Sequence, residues 1–270
     1  MKVLILSQKE PVDLYVIGQL ARDGLVQQLI GLERDNHHTG VTGTAGRRTG
    51  VSSWGRRLFL GLHRRWINRR IAGLLLRDAP ELALACETWP GSKVNSEDMA
   101  RRLREISPDL MLVSGAPILK PHIFEIPPMG TVNLHWGIAP CYRGEHTLFW
   151  PLYFGDFARV GITLHFIDRG IDSGALILHA HPEMDRRDNE LTVWIKCAKL
   201  AARCIADFLI AAESGAVSGE AQREKGCLYL YRDRTLRHQL RFLFRKRPDP
   251  SPQRIVTYYR ADADKMKNVP

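Results

Sequence analysis

Acidic residues are the scarce class in this chain of 270 residues: 29 aspartates and glutamates face 39 lysines and arginines, a net charge of +10. Also missing is any run near the ~20 apolar residues that a membrane-spanning helix needs, so no transmembrane segment is expected. The N-terminal MKVLILSQKEP has only four apolar residues in a row, too few for the hydrophobic stretch of a secretory signal. The five cysteines (Cys86, Cys141, Cys197, Cys204 and Cys227) are odd in number and form no CxxC pair. That argues against a disulfide framework and against a zinc site, and it fits a reducing compartment. A soluble cytoplasmic protein without a metal is therefore expected. No internal repeat is present, which excludes a solenoid.

What remains is ordinary globular material, enough for one full domain with an appendage. The positive excess is local. Nine arginines fall between Arg47 and Arg77, and a second set runs from Arg232 to Arg247. Clustered arginine attracts phosphate, whether on a nucleotide, a lipid surface or a nucleic acid, and it also forms plain solvated faces.

Short apolar runs at 2–7, 26–32, 82–86 and 109–114 read as buried strands, separated by helical patterns at 12–22 and 96–106. This alternation predicts an α/β fold, a Rossmann-like open, mostly parallel twisted sheet with helices on both faces. The polar, glycine-rich stretch 35–53 reads as a loop. Over 54–76, Trp54, Leu58, Leu62, Trp66, Ile71 and Leu75 recur at helical steps, which predicts an amphipathic helix with arginines on its other face. Further strands are expected at 131–135, 160–167 and 175–181, and a long helix at 190–214. The main domain is placed at 1–217, with a basic insert at about 35–78. Residues 218–270 read as a short basic α/β extension with one strand, one helix and a proline-rich break at 247–252.

The most informative region is 114–178. Asn133 and His135 are two apart on a strand, so their side chains share a face. Tyr142, Arg143 and Gly144 belong to a loop soon after. A second loop carries His165, Asp168, Gly170, Ile171 and Asp172. Polar groups at the C-terminal ends of strands in an open α/β sheet are where clefts form. A lone Asn-x-His is more often structural than catalytic. The two loops together, in this order, change that balance.

Together these motifs resemble the folate-dependent formyltransferases, a family that includes glycinamide ribonucleotide, methionyl-tRNA and sugar N-formyltransferases. The resemblance implies that Asn133, His135 and Asp172 are catalytic and that 10-formyltetrahydrofolate is the formyl donor. It implies a pterin pocket of Gly115, Pro117, Ile118 and Leu119 with Gly170 and Ile171. Tyr142, Arg143 and Gly144 are expected at the acceptor, with His165 and Asp168 supporting the loop. Asn133 and His135 would donate to the oxyanion that forms as an amine attacks the formyl carbon. Asp172 beside His135 would favour the imidazolium near neutral pH.

The chain departs from the glycinamide ribonucleotide enzymes after its first strand, where Ser7-Gln8-Lys9-Glu10-Pro11 replaces their Gly-Ser-Asn loop. Residues after 217 do not read as the β-barrel of the methionyl-tRNA enzymes. The run from Tyr142 to Asp156 looks most like enzymes that formylate nucleotide-linked amino sugars, so a small anionic amine is the expected acceptor. Other amines stay open: a hydroxyornithine side chain, an aminoacyl-tRNA or a peptide-bound amine. So does a noncatalytic protein that binds nucleic acid or the inner membrane face through its basic helices, although a nucleic-acid partner is not expected. Homodimerisation is left open.

Overall fold

A computed structural model describes residues 1–33, 51–77, 84–215, 217–244 and 255–259, with backbone alone at 51–54, 56 and 57. In chain order, β1 (Val3–Ser7), α1 (Pro11–Arg22), β2 (Gln28–Glu33), α2 (Val51–Leu75) and β3 (Ala85–Pro90) come first. Then follow α3 (Glu97–Ile106), β4 (Leu110–Ser114), α4 (Pro121–Phe124), β5 (Thr131–His135), β6 (Tyr142–Gly144) and α5 (Phe149–Phe154). Next are β7 (Ile162–Phe166), β8 (Leu176–His181), α6 (Glu190–Glu213), β9 (Cys227–Tyr229), α7 (Leu236–Phe244) and β10 (Ile255–Tyr258).

Eight strands make one sheet in the order β10-β8-β7-β5-β4-β1-β2-β3. The five from β3 to β5 are parallel. β7, β8 and β10 continue it antiparallel. The expected mostly parallel α/β sheet is present, with an antiparallel flank. β1 shows why these strands read as unbroken apolar runs. Val3 and Ile5 join the cluster under α1 and α6, while Leu4 and Leu6 pack under α3. Both faces are covered, so no polar alternation remains. Caps fix the helix starts. Ser96 Oγ accepts from the Met99 amide ahead of α3, and Asn189 and Thr192 form a capping box ahead of α6, each cap worth ~1 kcal/mol.

Two expectations need correction. The third strand lies at Ala85–Pro90 rather than 82–86. It is an edge strand, partnered among the described residues by β2 alone, so its residues are half-buried or exposed and carry no long apolar run. In α2, Leu58, Leu62 and Trp66 are exposed, whereas Leu60, Ile67, Ile71 and Leu75 are buried. Ile67, Ile71 and Leu75 pack against Val12 of α1 and Ala198 of α6. The helix carries apolar residues all round, so two phases satisfy the same periodicity. Positions 35–50 of the expected loop, Arg47 and Arg48, residues 82 and 83 and the break at 247–252 lie outside the described residues.

Residues after 217 return to the body. β9 pairs with β6, β10 pairs with β8, and Phe242 of α7 packs edge-on against Phe149 at 5.2 Å.

Candidate active site

The strand ends assemble a polar cluster. β5 pairs with β7 so that Asn133 stands opposite His165. The β7–β8 loop then turns Asp172 back over both. Asp172 adopts a left-handed backbone (φ 48°), a conformation an aspartate tolerates better than most residues. It is over-determined by its surroundings. The Gly144 amide donates to its Oδ2 at 2.7 Å, and Gln222 Nε2 donates to the carbonyls of Asp172 (3.0 Å) and Gly174 (2.8 Å). Two glycines permit this closeness: a Cβ at Gly174 would collide with the Phe166 carbonyl, and one at Gly144 with the Tyr229 carbonyl. Asp168 stiffens the same loop by accepting from the Gly170 amide and Ser173 Oγ.

Hydrogen-bond logic sets the proton positions. His165 Nδ1 lies 2.7 Å from the Phe166 carbonyl, which can only accept, so Nδ1 donates, and Nε2 meets Asn133 Nδ2 at 3.1 Å and Asp172 Oδ1 at 3.5 Å. The second Nδ2 hydrogen of Asn133 is held loosely by Asp172 Oδ1 at 3.4 Å. His135 Nε2 likewise donates to the Tyr142 carbonyl at 2.8 Å, and its Nδ1 faces Asp172 Oδ2 at 3.4 Å. The expected imidazolium is not favoured here. Burial lowers the pKa of His135 more than Asp172 raises it. Burial would also raise Asp172, but His135, His165 and the Gly144 amide together hold its carboxyl below the usual range.

This cluster floors a cavity of about 220 Å³ walled by Ala116, Pro117, Ile118 and Leu119 on one side and Gly170 and Ile171 on the other. Asn133, Gly144, His165, Asp168 and Asp172 line it; His135 stands behind Asp172. Leu119 is largely core, while Ile118 is 52% exposed. Leu228 and Leu230 close the cavity from the extension, a contribution with no signal in the local sequence. Tyr142 and Arg143, expected at the acceptor, line neither this cavity nor the one described next. Tyr142 is buried against Tyr229 with its hydroxyl on Asp156, and Arg143 donates to the carbonyls of Ile171 and Gly226.

A second cavity, of about 200 Å³, begins where the first ends. Gly115 lines it while Ala116 lines the first. The same handover occurs between Glu145 and His146, and between Leu230 and Tyr231. Its walls include Trp136 and Trp194, whose rings meet at 5.3 Å, and the inner face of α2. The charges within it are paired: Arg64 with Glu10 at 2.9 Å, and Arg234 with Glu190 at 2.7 Å. His146 Nδ1 accepts from Arg234 at 3.5 Å, so its Nε2 carries the hydrogen. That Nε2 is buried and has no protein partner among the described residues. Phe149 and Trp150, nearby in sequence, belong to the core.

Asp13 at this wall was not distinguishable in sequence from an ordinary first-turn helix acid. It accepts from Ser114 Oγ (2.6 Å) and Ser7 Oγ (3.2 Å). Burial raises its pKa to about 7, reinforced by Glu10 and opposed by the serine hydrogen bonds. A raised carboxyl pKa stabilises the fold fully in acid and loses that contribution as pH climbs through about 7. Asp13→Asn, which has no proton to lose, should therefore gain stability relative to the parent between pH 4 and 7, reaching roughly 4 kcal/mol. Urea unfolding midpoints across that range measure it. A constant difference would show that Asp13 titrates normally.

The profile of a family described as formyl transferase matches residues 71–209. The methionyl-tRNA formyltransferase of Koribacter versatilis is 29% identical over 154 residues, covering 56% of this chain and 49% of that protein. The chain thus spans about half the length of the curated relatives it matches. Among solved structures, a sugar N-formyltransferase from a Shewanella species superposes with a TM-score of 0.54 at 17% identity, covering 97% of this chain and 98% of that one. Glycinamide ribonucleotide transformylase 1 from Symbiobacterium toebii gives 0.54 at 18% identity, covering 82% and 93%. At these identities the likeness concerns the fold.

Proposed function

Because this chain belongs to the formyl transferase family, we propose that it moves a formyl group from 10-formyltetrahydrofolate to the amino group of a nucleotide-linked amino sugar. The observation that carries the reading is the pair of abutting cavities, with Asn133 and Asp172 on the floor of the first. The first suits a flat donor: apolar walls at Pro117, Ile118 and Leu119, and loop backbone at Gly170 and Ile171. Bound there, the folate supplies an electrophilic formyl carbon.

The residues then have defined work. Asn133 offers its loosely held Nδ2 hydrogen to the formyl oxygen as negative charge grows on it. Asp172 takes up the proton that the attacking amine releases, and the neutral Nδ1 of His135 behind it shares that proton. The same pair returns the proton to the departing folate nitrogen as its bond to the formyl carbon breaks. Ile118→Asp should weaken binding of a tetrahydrofolate analogue by about tenfold or more, since it sets a carboxylate against an apolar surface. Ile118 is exposed enough to spare the fold. Unchanged affinity by calorimetry would move the donor elsewhere.

The second cavity supports a sugar ring as the acceptor. Trp136 and Trp194 offer apolar faces, while Gln8, Asn68 and the unpartnered His146 Nε2 offer hydrogen bonds. Both of its arginines are already paired with carboxylates. The ring and its amine therefore fit inside, and an anionic nucleotide belongs outside. The test is incubation with 10-formyltetrahydrofolate and a panel of amino-sugar nucleotides, free amino sugars, amino acids and aminoacylated tRNA. Addition of one formyl group to an amino-sugar nucleotide is the expected result. Formylation of aminoacyl-tRNA with the sugars inert would overturn the acceptor, and no transfer at all would overturn the reaction.

A further inference from the structure

Eight of the thirteen large hydrophobic side chains exposed among the described residues lie on two helices, α2 and α7. The two helices come into contact, and Arg234, two residues before α7, reaches His63 of α2 at 3.2 Å. On α2, Leu58, Leu62 and Trp66 recur every fourth residue, and Trp66 is 54% exposed. On α7, Leu240, Leu243 (65%) and Phe244 (86%) face outward. Monomeric soluble proteins rarely leave so much apolar surface gathered in one place without a partner.

Charge narrows the partner. Neither helix contains an aspartate or glutamate. Arg65, Arg69 and Arg70 of α2 and Arg237 and Arg241 of α7 are exposed among the apolar residues. None of these side chains lines either cavity of the candidate active site. A second copy of the chain placed symmetrically on this face would bring the same arginines together with no acid on either helix to meet them. A nucleic acid would take up the arginines but leave the leucines and Phe244 unused. An anionic bilayer satisfies both, with headgroup phosphates against the guanidinium groups and the acyl boundary against the leucines. Trp66 is the residue type that favours that interface. No helix among the described residues is long and apolar enough to cross a membrane, so the contact is peripheral.

We propose that the joint outer face of α2 and α7 docks the protein onto anionic phospholipid membranes. The purified full chain should pellet with vesicles of phosphatidylcholine containing phosphatidylglycerol and stay in solution with phosphatidylcholine alone. The triple substitution Arg65→Gln, Arg69→Gln and Arg70→Gln should weaken binding by on the order of 100-fold, at about fivefold per arginine. Trp66→Ser combined with Leu243→Ser should release the protein even at low salt. All these variants should melt with the parent, because the positions are exposed. Three outcomes overturn the proposal: equal binding to neutral vesicles; no binding, with a concentration-dependent doubling of mass that Trp66→Ser abolishes; or no binding, with RNA retention that the arginine variant loses.

Discussion

Asp172→Asn should lower turnover by about 100-fold or more while the variant folds and binds the donor nearly as well. The asparagine keeps the shape that accepts the Gly144 amide and can still adopt the left-handed backbone. It removes only the charge and the proton acceptor. The pH profile distinguishes this account from simple misplacement. His135 must be neutral to share a proton, so activity should fall as pH drops through its pKa, which burial sets below the ordinary value of about 6.5. Asp172 is the group that partly props that pKa up. In Asp172→Asn the acid limb of the residual activity should move lower still. The double variant with His135→Ala should be little worse than either single one, since the two act as a unit. Full activity in Asp172→Asn would end the proton-transfer role.

Arg234→Met should cost about 3–5 kcal/mol in urea unfolding, the usual consequence of leaving one partner of a buried ion pair alone. Arg234 is 2% exposed and donates to both oxygens of Glu190, at 2.7 and 2.8 Å, and to Gln239 Oε1. Its guanidinium lies 3.8 Å above the Phe149 ring. Burial would push Glu190 up, but Arg234 and His63 hold its pKa at about 2. Without Arg234, a carboxylate is left in the interior. Adding Glu190→Gln should recover part of the loss. Donor affinity should fall with Arg234→Met too, because the segment it pins includes Leu228, which lines the first cavity, and follows Gln222 on the Asp172 loop. A change under 1 kcal/mol would place the anchor of the extension elsewhere.

The interior strands β1 and β4 could be read in the sequence because burial on both faces leaves a nearly unbroken apolar run. The helices α3 and α6 could be read from the helical pattern at 96–106 and the apolar residues that recur along 190–214. Asn133, His135 and Asp172 stood out through the order and spacing of two loops. What escaped depends on contacts between distant residues. The balance at His135 turns on burial depth, which no local pattern records. Gln222 is 50 residues from the loop it holds, and Leu228 reaches the first cavity only because β9 pairs with β6. The phase of α2 was ambiguous for a different reason: its two faces are both apolar, and packing against residues of distant segments, Val12 and Ala198 among them, decides which one turns inward.

The two faces of α2 have a thermodynamic consequence. Arg64, Ile67 and Asn68 line the second cavity, while Arg65, Trp66 and Arg69 point away from it. Neighbouring residues on one rigid rod thus touch different surroundings. If a contact on the outer face shifts this helix, the energy of whatever fills the cavity shifts with it, and linkage makes the effect reciprocal. The factor by which an outer contact changes affinity inside is the factor by which an occupied cavity changes the hold on the outer contact.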